Sequence, residues 1–224
     1  MIAKNNVKDA LSLYFISGTQ DTDRDLHTVL EDALAGGITA FQYREKGAGS
    51  LTGKEKEQMA RTLQKQCRQQ NIPFIVNDDV ELALAIGADG VHVGQEDSRA
   101  EDVRLQIGPD MLLGVSAHTI SEAEHALQSG ADYIGVGPMY PTSTKSDAKD
   151  VCGPEMIASM RNANIDLPIV GIGGISAENA QEVIAGGADG ISLISEISTA
   201  DDPREKAAVL FHQILTAKQK RSDS

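Results

Sequence analysis

Cysteine is scarce in this sequence, with only Cys67 and Cys152. Two thiols so far apart make neither a disulfide framework nor a zinc site, and they suit a reducing compartment. Tryptophan is absent, and the aromatics amount to four Tyr and four Phe. Positive charge is the minority: 20 Lys and Arg face 33 Asp and Glu, a formal net charge of −13. A chain of this sign, with few rings to stack on bases, is a poor match to nucleic acid. No apolar run approaches the roughly 20 residues of a membrane span. The opening residues, MIAKNNVKDA, hold no apolar stretch of the secretory kind. The expectation is a cytoplasmic protein with neither a membrane nor a nucleic-acid partner.

What is present is an ordinary globular mixture: 224 residues, 41% hydrophobic and 24% charged. That length suits one α/β barrel, whose core needs no cross-links. Short apolar runs alternate with stretches of helical periodicity. Strands are predicted over Leu11–Ile16, Ile38–Tyr43, Pro73–Val76, Gly90–Val93, Met111–Val115, Tyr133–Val136, Ile165–Val170 and Gly190–Ile194. Helices are predicted around 24–35, 52–70, 79–86, 99–107, 120–129, 154–162, 177–186 and 203–217. Runs such as ADGVHVG are apolar throughout, as strands covered on both faces are. Eight βα units predict a closed (β/α)8 TIM barrel spanning 1–224 as a single domain, with 218–224 as a frayed tail. A doubly wound open sheet is the alternative, but GIGGIS lacks the final residue of the dinucleotide fingerprint and no Walker lysine motif occurs. Gly-Ala-Asp precedes a strand at Gly87, Gly130 and Gly187, and each glycine reads as a helix stop.

In such barrels chemistry sits on the loops after the strands. In FQYREKG, alternation places Gln42, Arg44 and Lys46 on one face and Phe41 and Tyr43 on the other. An amide and two cations then face the barrel mouth, an anion clamp. In VNDDVE, Asp78 either caps the next helix with Glu81 or faces the mouth. In VGQEDSRAED, Ser98 and Glu101 have capping-box spacing, which leaves Asp97 for another task. Asp78 and Asp97, with Asn77 and Gln95 nearby, could share one Mg²⁺. His92 reads as a packed core histidine. In GVSAHTISEAE, Ser116 ends a strand, and Thr119 with Glu122 forms another capping box. The longest loop carries Thr142, Ser143, Thr144 and Lys145. GIGGIS brings Gly171, Gly173 and Gly174 close to Ile194 and Ser195 after the last strand. Loops at these two positions form the recurring phosphate site of such barrels, where backbone amides hold the anion.

FQYREKG, VNDD, GVHVGQED, GVSAHT, GVGPMYPTSTK and VGIGGI, in this order, resemble the thiamine phosphate synthase family over nearly the whole chain. The resemblance implies a (β/α)8 barrel that joins 4-amino-2-methylpyrimidin-5-ylmethyl diphosphate to a thiazole ethyl phosphate, with or without a carboxylate that leaves as CO₂. The products are thiamine phosphate and diphosphate, and the implied cofactor is Mg²⁺. It assigns the pyrimidine diphosphate to Gln42, Tyr43, Arg44, Glu45, Lys46 and Asn77, and Mg²⁺ to Asp78 and Asp97. Ser116 and Lys145 contact the diphosphate end. Thr142, Ser143, Thr144, Gly174, Ile194 and Ser195 hold the thiazole phosphate. Arg44, Lys46, Ser116 and Lys145 make up the implied catalytic set. The related thiazole tautomerases need no magnesium or diphosphate parts, whereas those parts are intact here. The expected partners are small molecules, and a homo-oligomer is compatible with the sequence.

Overall fold

The computed structural model describes residues 7–142 and 150–223. Eight parallel strands close on themselves in chain order, so β1 (Leu13–Ser17) bonds to both β2 (Ala40–Tyr43) and β8 (Gly190–Leu193). Between them run β3 (Phe74–Asn77), β4 (Gly90–Val93), β5 (Leu112–Ala117), β6 (Tyr133–Val136) and β7 (Ile169–Ile172). A short helix, α1 (Val7–Ala10), leads into β1. The outer ring is α2 (Leu26–Ala35), α3 (Gly53–Gln69), α4 (Val80–Ile86), α5 (Ala100–Ile107), α6 (Ile120–Gln128), α7 (Pro154–Asn162) and α8 (Ala180–Ala185). After β8 come a single turn, α9 (Ser195–Ser198), and the long α10 (Pro203–Ser222). This is the (β/α)8 barrel expected from the repeat of short apolar runs and amphipathic stretches.

Strand alternation produces two cores. Outward side chains such as Phe15, Phe41, Tyr43, Val91 and Ile134 pack with the helices in the larger one. Inward strand side chains form a smaller one from Tyr14, Ala40, Ile75, Leu112, Tyr133 and Val170, joined by Val7 of α1 and by Leu11.

The Gly-Ala-Asp repeat is explained by both of its ends. Gly87, Gly130 and Gly187 take φ values of 61°, 78° and 109°, which side-chain-bearing residues rarely adopt, and so stop their helices. Each aspartate then locks the start of the preceding strand. Asp89 accepts from Phe74 N, Asp132 from Leu113 N and Asp189 from Ile169 N, at 2.9–3.0 Å. An arginine one unit earlier completes two of the copies: Arg104 meets Asp132 and Arg161 meets Asp189, both at 2.6 Å.

Three expectations are corrected. The strand predicted over Ile165–Val170 begins later, at Ile169. The carbonyls of Ile165 and Leu167 accept from Arg161 Nη1 at 2.6 and 2.7 Å, so a side chain takes what a strand neighbour would. The tail expected to fray from 218 is helical through Ser222. Arg221 donates to the carbonyls of Ile184 and Ala188, and Lys218 to Ser12, which anchors the last turns to the barrel. The Ser98–Glu101 capping box is absent: Arg99 is the residue before α5, without a side-chain cap, and it pairs with Glu101 instead. The Thr119–Glu122 box forms as expected.

Candidate active site

The barrel mouth opens at the C-terminal ends of the strands. Gln42, Arg44 and Lys46 line one cavity there with Asn77, Asp78, His92, Asp97 and Ser116. The period-two reading of β2 therefore holds for its inward face. It also shows which assigned residues point elsewhere. Tyr43 is buried among the helix-facing residues. Glu45 accepts from the backbone of Thr19 at 3.1 Å and of Leu51 at 2.7 Å, and from the Thr19 hydroxyl. The side chains of Tyr43 and Glu45 are thus not brought into the cavity. Glu45 instead ties the loop that carries Arg44 and Lys46 to Thr19 and Leu51.

The choice left open for Asp78 is decided by its neighbour. Asp79, not Asp78, caps α4, its carboxylate accepting from Leu82 N at 3.0 Å. Asp78 takes the left-handed backbone conformation, with φ 60°. This turn sends Asp78 to the mouth and Asp79 to the helix. Asp97 comes from the loop after β4 and is held by Gly94 N at 3.0 Å. Lys46 Nζ lies 2.6 Å from Asp78 and 3.2 Å from Asp97, so both carboxylates reach one positive centre. Burial raises the Asp78 carboxyl above the ordinary carboxylate range, and Asp97 adds to this against the pull of Lys46. Desolvation also pushes Asp97 upward, but contacts with Asp78, Lys46 and Gly94 N outweigh it and hold Asp97 low.

This donor set fits a hard divalent cation. Among the described residues no cluster of three or more His, Cys, Asp or Glu could hold a metal. Two carboxylates with the remaining positions left to water and substrate oxygens is the pattern Mg²⁺ prefers, rather than an all-protein cage.

A second cavity, of about 310 Å³, is lined by Thr142, Gly173, Gly174, Ser176, Ile194, Ser195 and their neighbours. Gly173 and Gly174 take φ values of 92° and 65°. A Cβ on Gly174 would lie 2.6 Å from the Pro141 carbonyl oxygen, so only glycine fits this turn. Gly171 sits within β7, outside this cavity's lining. A third cavity of about 360 Å³, lined by Lys46, Gln95, Asp97, Ser116, His118 and Thr142, joins the first two across the mouth. Spaces of this size suit small phosphorylated ligands. Ser143, Thr144 and Lys145 lie outside the described residues.

Sequence reasoning missed the polar floor of the barrel. Tyr14 and Tyr133 read as strand hydrophobics, yet their hydroxyls meet at 2.9 Å inside it. Gln42 reaches Tyr14 at 2.8 Å, and His92 bridges Tyr133 and Ser116. Strand alternation places these residues on the inner face but does not reveal that the inner face is polar at this level.

The sequence model of the thiamine monophosphate synthase family matches residues 13–197. The chain belongs to this family. The thiamine-phosphate synthases of Geobacillus kaustophilus (strain HTA426) and Bacillus velezensis (strain DSM 23117 / BGSC 10A6 / LMG 26770 / FZB42) are each 54% identical to it over 217 residues. The alignment covers 97% of this chain, and 98% and 96% of those relatives. A solved thiamine phosphate pyrophosphorylase from Pyrococcus furiosus superposes with a TM-score of 0.86 at 35% identity, covering 95% of this chain and all of that one. Like its relatives in the thiamine monophosphate synthase family, the chain is an enzyme. Among the described residues no helix is long and apolar enough to cross a membrane.

Proposed function

We propose that this enzyme is a Mg²⁺-dependent thiamine phosphate synthase. It transfers the pyrimidinylmethyl group of 4-amino-2-methylpyrimidin-5-ylmethyl diphosphate to the ring nitrogen of a thiazole ethyl phosphate, whether or not that ring carries a carboxylate lost as CO₂. The products are thiamine phosphate and diphosphate. The observation that carries this reading is the pairing of two different anion-suited cavities at one barrel mouth. One has cations and a carboxylate pair, and the other is a glycine loop beside Ser195.

The carboxylate pair would hold Mg²⁺ through Asp78 and Asp97, and a bound ion there would neutralise charge on the diphosphate. Lys46 and Arg44 stand on the same face and bind the departing diphosphate electrostatically, most strongly as its charge grows. Lys145 carries the same expected role from the long loop. Gln42 and Asn77 orient the pyrimidine, whose electron-rich ring supports positive charge at the methylene as diphosphate leaves. Gly174 and Ser195 fix the thiazole phosphate, and the tether places the ring nitrogen for attack. No protein nucleophile is needed. Incubation with both substrates and Mg²⁺, followed by detection of thiamine phosphate, tests the reading. Thiazole isomerisation alone, with no coupled product, would favour the tautomerase reading instead.

A further inference from the structure

A single file of hydrogen-bonding side chains crosses the barrel beneath the mouth. Gln42 Nε2 lies 2.8 Å from Tyr14 Oη, and Tyr14 Oη lies 2.9 Å from Tyr133 Oη. Tyr133 Oη lies 3.1 Å from His92 Nδ1, and His92 Nε2 lies 3.0 Å from Ser116 Oγ. The two rings pack edge to face, 6.0 Å between centroids, and both are buried. Desolvation by burial raises both phenols far above their ordinary range, so each stays a neutral O–H.

Such a file can run in either of two directions, and Gln42 selects one. Its amide nitrogen only donates. Tyr14 therefore accepts from Gln42. If Tyr14 also accepted from Tyr133, its own buried proton would lack an acceptor, a cost of about 1–3 kcal/mol. Tyr14 thus donates to Tyr133, and Tyr133 donates to His92 Nδ1. An imidazole that accepts at Nδ1 carries its proton on Nε2 when neutral. That N–H points at Ser116 Oγ, which accepts it. The Ser116 proton is then turned away from the floor and toward the cavity.

We propose that Tyr133, with Tyr14 behind it, is a positioning residue that holds His92 in the Nε2–H tautomer and thereby presents Ser116 to the substrate as a hydrogen-bond donor. The ligand group this suits is an acceptor, an anionic oxygen of the pyrimidine diphosphate. In its catalytic consequence the inference rests on the proposed reaction. In its tautomer it does not. Without Tyr133 Oη, His92 is free to take either tautomer, and Ser116 is spent in part as a donor to the ring. The fault then appears where charge develops on the diphosphate and not in the thiazole cavity.

Two measurements test this. The first is ¹⁵N NMR of the unliganded protein with labelled histidine, the His92 signals assigned by their loss in His92→Asn. The wild-type ring is expected to carry its proton on Nε2, and Tyr133→Phe to give a tautomer mixture. A wild-type ring protonated on Nδ1 overturns the proposal, whether or not the protein proves active. The second is steady-state kinetics of Tyr133→Phe, Ser116→Ala and the double variant. Tyr133→Phe is expected to lower kcat roughly 10–100-fold, as small losses of alignment do, with KM for the thiazole phosphate unchanged. In the Ser116→Ala background the same change should have no further effect. An equal loss in both backgrounds means that Tyr133 serves only the barrel's packing, and it overturns the proposal.

Discussion

The Lys46 ammonium lies 2.6 Å from the Asp78 carboxylate and 3.2 Å from that of Asp97. The chain's own cation thus marks the point that two carboxylates from adjacent strands can share. A divalent ion held by the two carboxylates would take over their charge and leave the Lys46 ammonium available to the substrate's phosphates. Asp78→Asn and Asp97→Asn should each raise the Mg²⁺ concentration needed for half-maximal rate and leave the fold intact. Excess Mg²⁺ should restore part of the activity. A Mg²⁺ titration of the initial rate, with circular dichroism as the folding control, makes the comparison. A variant that titrates like the parent removes its residue from the metal site.

Asp78 also carries a stability cost that pH reveals. Its folded-state carboxyl is raised, first by burial and then by Asp97. A raised carboxyl favours folding below the ordinary carboxylate pKa, and that benefit is lost as pH rises through the folded value. At pH 7 and without Mg²⁺, the charged side chain is therefore destabilising. Asp78→Asn should raise Tm at pH 7, and the gain should shrink as the pH falls through the range just above the usual carboxylate pKa. Asparagine also tolerates the φ of 60° at this position. Thermal melts at several pH values check this, and a gain that grows on acidification contradicts it.

Ser195→Asp should damage one substrate far more than the other. Ser195 opens α9 and lines the glycine-loop cavity with Gly174, apart from the cavity of Arg44 and Asp78. A carboxylate there repels a phosphate and competes for the same backbone amides. KM for the thiazole phosphate should rise strongly, and KM for the pyrimidine diphosphate little. Equal rises would mean that the two anion cavities are not separate sites.

Gly114 is the clearance beneath the polar file. A Cβ there would lie 2.2 Å from Tyr133 Cζ and 2.5 Å from His92 Nδ1. Gly114→Ala must displace both rings, and overpacking of this kind costs about 1–3 kcal/mol. Lower stability to urea, together with a lower kcat, is the expected result. A variant with parental stability and rate would show that the floor adapts without consequence.

The barrel was legible because two periods repeat: apolar runs buried on both faces, and helices that end in Gly-Ala-Asp. The aspartate's task was hidden, since Asp132 acts on Leu113 N and Arg104, partners far away in sequence. Gln42, Arg44 and Lys46 were legible from alternation alone. Asp78 was not, because adjacent aspartates before a helix read equally well as caps, and only the left-handed turn separates their tasks. Tyr43 and Glu45 were placed at the site by resemblance, whereas alternation already turned Tyr43 outward. The ordered end of α10 was obscured because KQKRSDS is polar. Its hold on the barrel comes from Arg221 and Lys218 reaching backbone and hydroxyl acceptors rather than from apolar burial.

On the proposed function, two cavities at one mouth bind two phosphorylated substrates and couple them. The direct measurement is incubation of the full chain with 4-amino-2-methylpyrimidin-5-ylmethyl diphosphate, thiazole ethyl phosphate and Mg²⁺, with chromatographic detection of thiamine phosphate and diphosphate. Both products are expected in equal amounts, and chelating the metal or omitting either substrate is expected to abolish thiamine phosphate. Binding of both substrates with no coupled product would contradict it.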